Sequence, residues 1–105
     1  MIKYVILLKR RPEIDHATFL KIWREEHTPI LQQLPGIRSI ELNSTLDVPN
    51  YAPDYDGIGL LTFDSMDAAN AAFAGPAGQA ARQHTPTFAD SANAMRFFAE
   101  PLETD

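Results

Sequence analysis

The segment that decides the fold is IKYVILL, residues 2–8. It is rich in β-branched and aromatic residues, and a charged run ending at Pro12 follows it, which is typical of a β-strand. One face of this strand would carry a tyrosine and three aliphatic residues, and the other would carry Val5 and Leu7 between two lysines. Because both faces are apolar, we predict a central strand that is covered on both sides.

A second segment, GIGLLTF at residues 57–63, has the same property. Its Ile58 and Leu60 share one face, and Leu61 and Phe63 share the other. Two further strands are predicted at residues 37–42 and 94–99, each rich in apolar side chains.

Helical patterns separate these strands. After Asp15, a suitable N-cap, apolar residues recur with the period of a helix as far as Leu34. Pro29 lies inside this pattern and lacks a backbone donor, so we expect a kink or break near residues 27–28. A second helix is predicted from Met66 to Ala74, and a shorter one follows it to about residue 83.

The order βαββαβ is that of a ferredoxin-like α+β domain spanning residues 1–105, an antiparallel four-stranded sheet with the helices on one face. The helices leave the second apolar face of the sheet bare. A second copy of the chain, related by a two-fold axis, is the simplest cover, so we predict a homodimer that forms an α/β barrel.

Composition excludes several classes of protein. The net charge is −5, and the basic residues fall mainly in residues 3–11 and 21–38, the second group mixed with acids; this argues against nucleic acid and anionic membranes as partners. The longest apolar stretch, residues 4–8, is too short to span a bilayer, and without a signal sequence we expect a cytoplasmic protein. The absence of cysteine excludes disulfides, thiol nucleophiles and Cys-ligated metals.

Cofactor machinery is missing as well. The three histidines lack the i, i+4 spacing of a zincin-type site, so we predict no metal. No glycine-rich phosphate loop and no GxSxG elbow is present, which disfavours nucleotide-dependent dehydrogenases and triad hydrolases. We therefore expect no cofactor.

His27 is the best candidate for chemistry, because it lies on or at the edge of the apolar stripe of the first helix. There it could serve as a general acid or base on a bound small molecule, or it could fill space and donate to a backbone carbonyl. Trp23 and Tyr4 are candidate substrate-binding walls, although a core role for the tryptophan and a rim position for the tyrosine are the alternatives. Phe63 and Tyr55 are further candidates, the latter in a long polar loop that is either a lid or a loop edge.

An ordered set of short motifs resembles EthD-like proteins. The first half contributes Lys9-Arg10-Arg11-Pro12, Phe19, Trp23, His27-Thr28-Pro29 and Leu34-Pro35-Gly36. The second half contributes Tyr55-Asp56-Gly57, Phe63-Asp64-Ser65 and the stretch from Gly75-Pro76 to Phe88-Ala89-Asp90.

This resemblance implies membership of the dimeric α/β-barrel superfamily and a small apolar substrate. Founding EthD members accompany a haem monooxygenase system in the degradation of ethyl tert-butyl ether. Related dimeric barrels include cofactor-free monooxygenases, lactone isomerases, and dehydratases or decarboxylases. In the isomerases the matching helix histidine works beside a tyrosine on the next strand, where this sequence has Ile40.

Three functional hypotheses follow. In the first, the chain is a cofactor-free isomerase, dehydratase or oxygen-using oxidoreductase that acts on a small apolar or aromatic compound through His27. In the second, the same pocket is a binding or carrier module that assists a partner oxidase without chemistry of its own. In the third, the chain is a structural dimer with a filled core. A cavity beside His27 would favour the first two hypotheses.

Overall fold

A computed structural model describes residues 1–104 and contains one four-stranded antiparallel sheet. The strands are β1 (Ile2–Leu8), β2 (Ser39–Ser44), β3 (Gly57–Phe63) and β4 (Met95–Ala99). Their order in the sheet is β2-β3-β1-β4, which places the two strands with two apolar faces at the centre. The predicted ferredoxin-like α+β fold is confirmed.

The helical segments lie between these strands. They are α1 (His16–Ile22), a π-helical turn (Trp23–His27), α2 (Thr28–Leu31), α3 (Met66–Ala74) and α4 (Pro76–His84). The Asp15 carboxylate accepts a hydrogen bond from the Thr18 amide at 2.8 Å, and Ser65 caps α3 in the same way.

Pro29 widens the first helical segment where a kink or break was expected. The Thr28 amide donates to the Trp23 carbonyl five residues earlier, and the Thr28 hydroxyl donates to the same oxygen at 3.0 Å. Because proline has no N–H and its ring crowds the carbonyl four residues back, the wider turn accommodates it without ending the helical path. The segment closes at Gly36, whose φ of +77° suits a residue without a Cβ.

The second strand begins and ends two residues later than predicted. Around the turn at Gly36, the Ile37 amide bonds back to the Leu34 carbonyl, which delays entry into the sheet. At the other end the polar residues Asn43 and Ser44 continue the pairing, and the Asn43 side chain also donates to the Ile58 carbonyl. A purely apolar criterion therefore predicts this strand too early in the sequence.

The helix-bearing face of the sheet supports two buried clusters. One cluster consists of Leu31, Leu34, Leu61, Phe63, Ala69, Ala72 and Ala81. The other consists of Leu8, Phe19, Trp23, Phe88 and Ala89. These side chains pack the helices against alternate residues of the strands.

The remaining alternate residues form what we call the open face, which is centred on Val5, Leu7, Ile58, Leu60, Met95 and Phe97. Val5 is paired with Leu60 on one side and Phe97 on the other, so the apolar residues are contiguous across three strands. None of the six belongs to either buried cluster of residues 1–104.

Candidate functional site

A cavity of about 610 Å³ lies between the helix-bearing face and the helices. All four strands, the π-helical turn and α2 to α4 contribute to its lining, most of which is apolar. This volume is within the range of small-molecule sites. The interior is therefore not a completely filled core, which favours the two hypotheses that involve a ligand.

Trp23 forms one wall of this cavity and is 2% exposed. Its indole packs on β3 where that strand has Gly57 and Gly59. A Cβ at Gly57 would lie 2.3 Å from the indole Cζ3, so only glycine admits the ring at this distance. The glycines of GIGLLTF thus set the position of the wall.

His27 closes the π-helical turn and lines the same cavity with 5% of its surface exposed. Its Nδ1 lies 2.9 Å from Nδ1 of His84 at the end of α4. The two rings are stacked, with centroids 5.1 Å apart and 14° between their planes, and Phe88 packs against both. This packing fixes the orientation of the His27 ring.

Burial and the neighbouring His84 lower the pKa of His27 to about 4, so its imidazole is neutral at neutral pH. The contact between the two Nδ1 atoms requires one to donate and the other to accept. Where His27 donates, its Nε2 carries a lone pair. Among residues 1–104 no side chain or carbonyl bonds to this Nε2, which leaves it for a ligand.

Tyr4 lies in another part of the cavity, with its ring between those of Phe73 and Phe98 at centroid distances of 4.8 and 5.3 Å. Burial raises the pKa of Tyr4, and the positive charges of Arg96 and Arg82 act in the opposite direction. Both arginines are among the residues that line the cavity, and Arg82 donates to the Phe73 carbonyl at 2.8 Å.

Three small uncharged polar side chains, Asn70, Thr85 and Ser91, also line the cavity, and the Thr85 hydroxyl donates to the Ala81 carbonyl at 2.8 Å. Ser91 Oγ is buried and has no hydrogen-bond partner within residues 1–104. Buried hydroxyls are normally bonded, so this oxygen is suited to bond a ligand.

The structure brings together three of the five residues proposed from the sequence: His27, Trp23 and Tyr4. Phe63 is fully buried behind the cavity, 5.5 Å from the ring of Phe73, and does not line it. Tyr55 lines a separate depression of about 520 Å³, which is formed mainly by residues between positions 45 and 56. That depression is organised by His16, whose Nδ1 lies 2.8 Å from Asp56 Oδ1.

Sequence reasoning missed His84, Arg96 and Ser91 as neighbours of the cavity. His84 is 57 residues from His27, and no local periodicity relates the two. Arg96 carried a usable signal, because it is the one charged residue inside an otherwise apolar strand. A charge at that position is typical of either an edge or a site.

No group of three or more potential ligands that could hold a metal ion occurs within residues 1–104. Over the same range, no helix combines the length and apolarity needed to cross a membrane.

Comparison with known proteins gives matches over most of the chain. The family model described as the EthD domain matches residues 11–92. An uncharacterised 11.0 kDa protein from the thcB-thcC intergenic region of Rhodococcus erythropolis is 29% identical over 86 residues, which cover 82% of this chain and 84% of that protein.

Three solved structures have the same fold. An EthD family protein from Bacillus halodurans has a TM-score of 0.81 at 20% identity, covering 97% of this chain and all of that one. A dimeric ferredoxin-like protein from Bacteroides fragilis has a TM-score of 0.68 at 18% identity, with 94% of each chain covered. SnoaB from Streptomyces nogalater, a cofactor-independent oxygenase, has a TM-score of 0.72 at 14% identity, covering 98% and 94%.

Proposed function

The chain belongs to the EthD domain family, and from this premise we propose that it is a cofactor-free acid/base enzyme acting on a small apolar or aromatic compound. The compound binds in the cavity between the helices and the sheet. The observation that carries the proposal is the neutral, immobilised His27, which lines a cavity large enough for a ligand and whose Nε2 is unbonded within residues 1–104.

In this proposal Nε2 of His27 takes a proton from an acidic C–H or O–H of the substrate. The electron pair of the broken bond stays on the substrate, and the lone pair of Nε2 forms the new N–H bond. The resulting imidazolium donates from Nδ1 to Nδ1 of His84, which is only half-buried and can exchange protons with water. His84 is therefore a positioning residue and a path for the proton.

Trp23 supplies a flat apolar wall for a ring, and the Tyr4 hydroxyl and Arg96 can bond an oxygen of the substrate. Phe63 contributes from behind by supporting Phe73, which lines the cavity. Tyr55 has no part in the proposal, because it lies at the other depression.

The carbanion or phenolate formed in this way has three fates: protonation elsewhere, loss of a leaving group, or reaction with molecular oxygen. These correspond to an isomerase, a dehydratase and an oxidoreductase. The fold shared with SnoaB, a cofactor-independent oxygenase, supports the third fate for this chain.

One observation favours a binding or carrier module as the second candidate. An imidazole whose pKa is about 4 is a weak base at neutral pH, and general-base catalysis weakens as the pKa of the base falls. A carrier that assists a partner oxidase needs the apolar cavity and no proton transfer.

The two candidates are separated by His27→Gln. The test presents a panel of small phenols and aromatic ketones in D₂O and measures oxygen consumption and deuterium incorporation. If the protein is an enzyme, His27→Gln should lower its turnover by roughly 100-fold or more. The affinity of the variant for the ligand, followed through Trp23 fluorescence, should change by about twofold or less. His16→Gln, outside the cavity, is the matched control and should keep full turnover. Binding without turnover in the wild type would support the carrier, and full turnover in His27→Gln would refute the proton transfer.

We also propose that a second copy of the chain covers the open face. Six contiguous apolar residues over three strands need a partner surface in water, and the Bacteroides fragilis neighbour is described as dimeric. Light scattering at micromolar concentration should give twice the mass of one chain.

The family match begins at residue 11 and ends at residue 92, so β1 and β4 lie outside it. Both strands are paired in the same sheet, and β1 is central. We therefore propose that residues 1–105 form a single EthD-type domain.

A further inference from the structure

We propose that the ligand of the cavity is an anion, specifically a small aromatic or alicyclic carboxylic acid whose carboxylate binds Arg96 beside the Tyr4 hydroxyl, with Arg82 close by. The inference rests on the proposed function in assuming that the cavity binds a small molecule. It adds the chemical class of that molecule.

The charge of the cavity is opposite to that of the chain. The chain carries 14 acidic and 9 basic residues for a net charge of −5. The cavity lining nevertheless includes two arginines and no aspartate or glutamate. An acidic protein with a purely cationic set of charges at its pocket attracts and binds anions there.

Neither arginine is neutralised within residues 1–104. The ion pairs of this range use Arg10, Arg11, His16 and Arg38 as their cations. Arg82 uses one N–H for the Phe73 carbonyl. A guanidinium has five N–H donors in a fixed fork, so both groups retain donors for a carboxylate.

The sheet register places Arg96 on the face of the sheet that borders the cavity. Arg96 is paired with Ile6 and Phe98 with Tyr4, and all four of these residues line the cavity. Both arginines are close enough to affect the pKa of the Tyr4 hydroxyl. One carboxylate bound there would accept hydrogen bonds from a guanidinium and from a phenol, which is a favoured arrangement for this group.

The remaining lining suits the rest of such a molecule. Phe73 and Phe98 flank Tyr4, and Trp23 offers an indole face farther along the cavity. The lining contains no lysine, and the sequence contains no glycine-rich phosphate loop, so a monoanionic carboxylate matches these groups better than a polyphosphate.

The test uses two probes of the same shape, 1-naphthoate and the uncharged 1-naphthamide. Binding is followed by energy transfer from Trp23, the single tryptophan of the chain. In low-salt buffer, naphthoate should bind the full-length chain at least about tenfold more tightly than naphthamide, since charge-assisted bonds are stronger than neutral ones. Added salt should reduce this preference, because both arginines are exposed to solvent, which screens their charges.

Three variants test whether Arg96 is the source of the preference for naphthoate over naphthamide. Arg96→Met should bring naphthoate binding close to the level of naphthamide and leave naphthamide binding unchanged within about twofold. Arg96→Lys should keep most of the preference, because it keeps the charge. Arg24→Met removes an exposed cation outside the cavity and is the control for net charge, so it should change neither probe.

The proposal of an anionic ligand would be wrong if the wild type bound the two probes equally. It would also be wrong if the preference for naphthoate survived in the Arg82→Met/Arg96→Met double variant. In both cases the cavity would still be a binding site. Failure of both probes to bind up to their solubility limits would instead count against the proposed function itself.

Discussion

Alternate residues of the same strands build the two faces of the sheet. The helices cover one face and leave a cavity beneath them, whereas the open face is not covered by the helices. On the helix-bearing face, the Trp23 indole packs against two glycines of β3 and borders a cavity that His27, Tyr4 and Arg96 also line. On the open face, the six central residues are all apolar. Neighbours in sequence therefore lie on opposite faces: Phe97 lies on the open face and Phe98 lines the cavity.

The difference shows that apolar content does not by itself identify a binding site. A flat face without polar groups suits a large partner surface, since it offers area and nothing that orients a small molecule. A concave face with a few polar groups suits a small ligand, because those groups fix its orientation. Mutations on the two faces should therefore have different effects on the protein.

The largest effect is expected from Leu60→Asp on the open face. A two-fold axis would place two carboxylates in the interface, each losing several kcal/mol of solvation. The dissociation constant of the dimer should rise by roughly a thousandfold or more, which light scattering over a concentration series would measure. Circular dichroism should show the same folded chain. An unchanged dimer mass in this variant would mean that the open face is not the interface.

Phe63→Ala and Phe97→Ala compare the faces directly. Phe63 is 0% exposed and Phe97 is 45% exposed in the single chain. Phe63→Ala should lower the free energy of unfolding by about 3–5 kcal/mol at every protein concentration. Phe97→Ala should lower it only to the extent that the dimer stabilises the fold, so its effect should depend on concentration. Urea denaturation at two concentrations measures both, and identical losses in the two variants would remove the distinction between the faces.

A smaller effect is expected from pH, and it arises only on the helix-bearing face. The pKa of His27 falls from its ordinary 6.5 to about 4 on folding. Between these two pH values the unfolded chain binds a proton that the folded chain does not, so the free energy of unfolding rises with pH. The gain is about 3 kcal/mol and is complete above pH 6.5.

His27→Gln should remove this part of the pH dependence. The difference between the wild type and the variant isolates His27 from the carboxylates that also titrate in acid. Equal pH slopes in the two proteins would show that His27 is not buried as a neutral imidazole.

The sequence predicted the architecture well because local signals agreed with one another. β1, β3 and α3 end where the pattern predicts, since their apolar period, caps and turn residues indicate the same boundaries. β2 is displaced because the turn at Gly36 and the side chain of Asn43 override the apolar pattern.

The site was only partly predictable. His27 and Trp23 share a helical stripe, so spacing along one element is enough to bring them together. His84 and Ser91 come from later elements, and their approach depends on how α4 and the segment after it pack on the sheet. Tyr55 and Phe63 are plausible candidates from their chemistry. Whether such a residue lines the cavity depends on the tertiary structure, which places Tyr55 at the other depression and buries Phe63 in the core.

The π-helical turn has a consequence for insertions and deletions. The turn holds one residue more than an α-helical path over the same rise, and successive residues of a helix differ by about 100° in direction. Removing Glu25, whose side chain is exposed, would let the backbone relax to an α-helix. His27 would then rotate away from His84 while the exposed surface kept its composition. A single-codon deletion of this kind should leave a folded protein whose cavity has lost the stacked pair of His27 and His84.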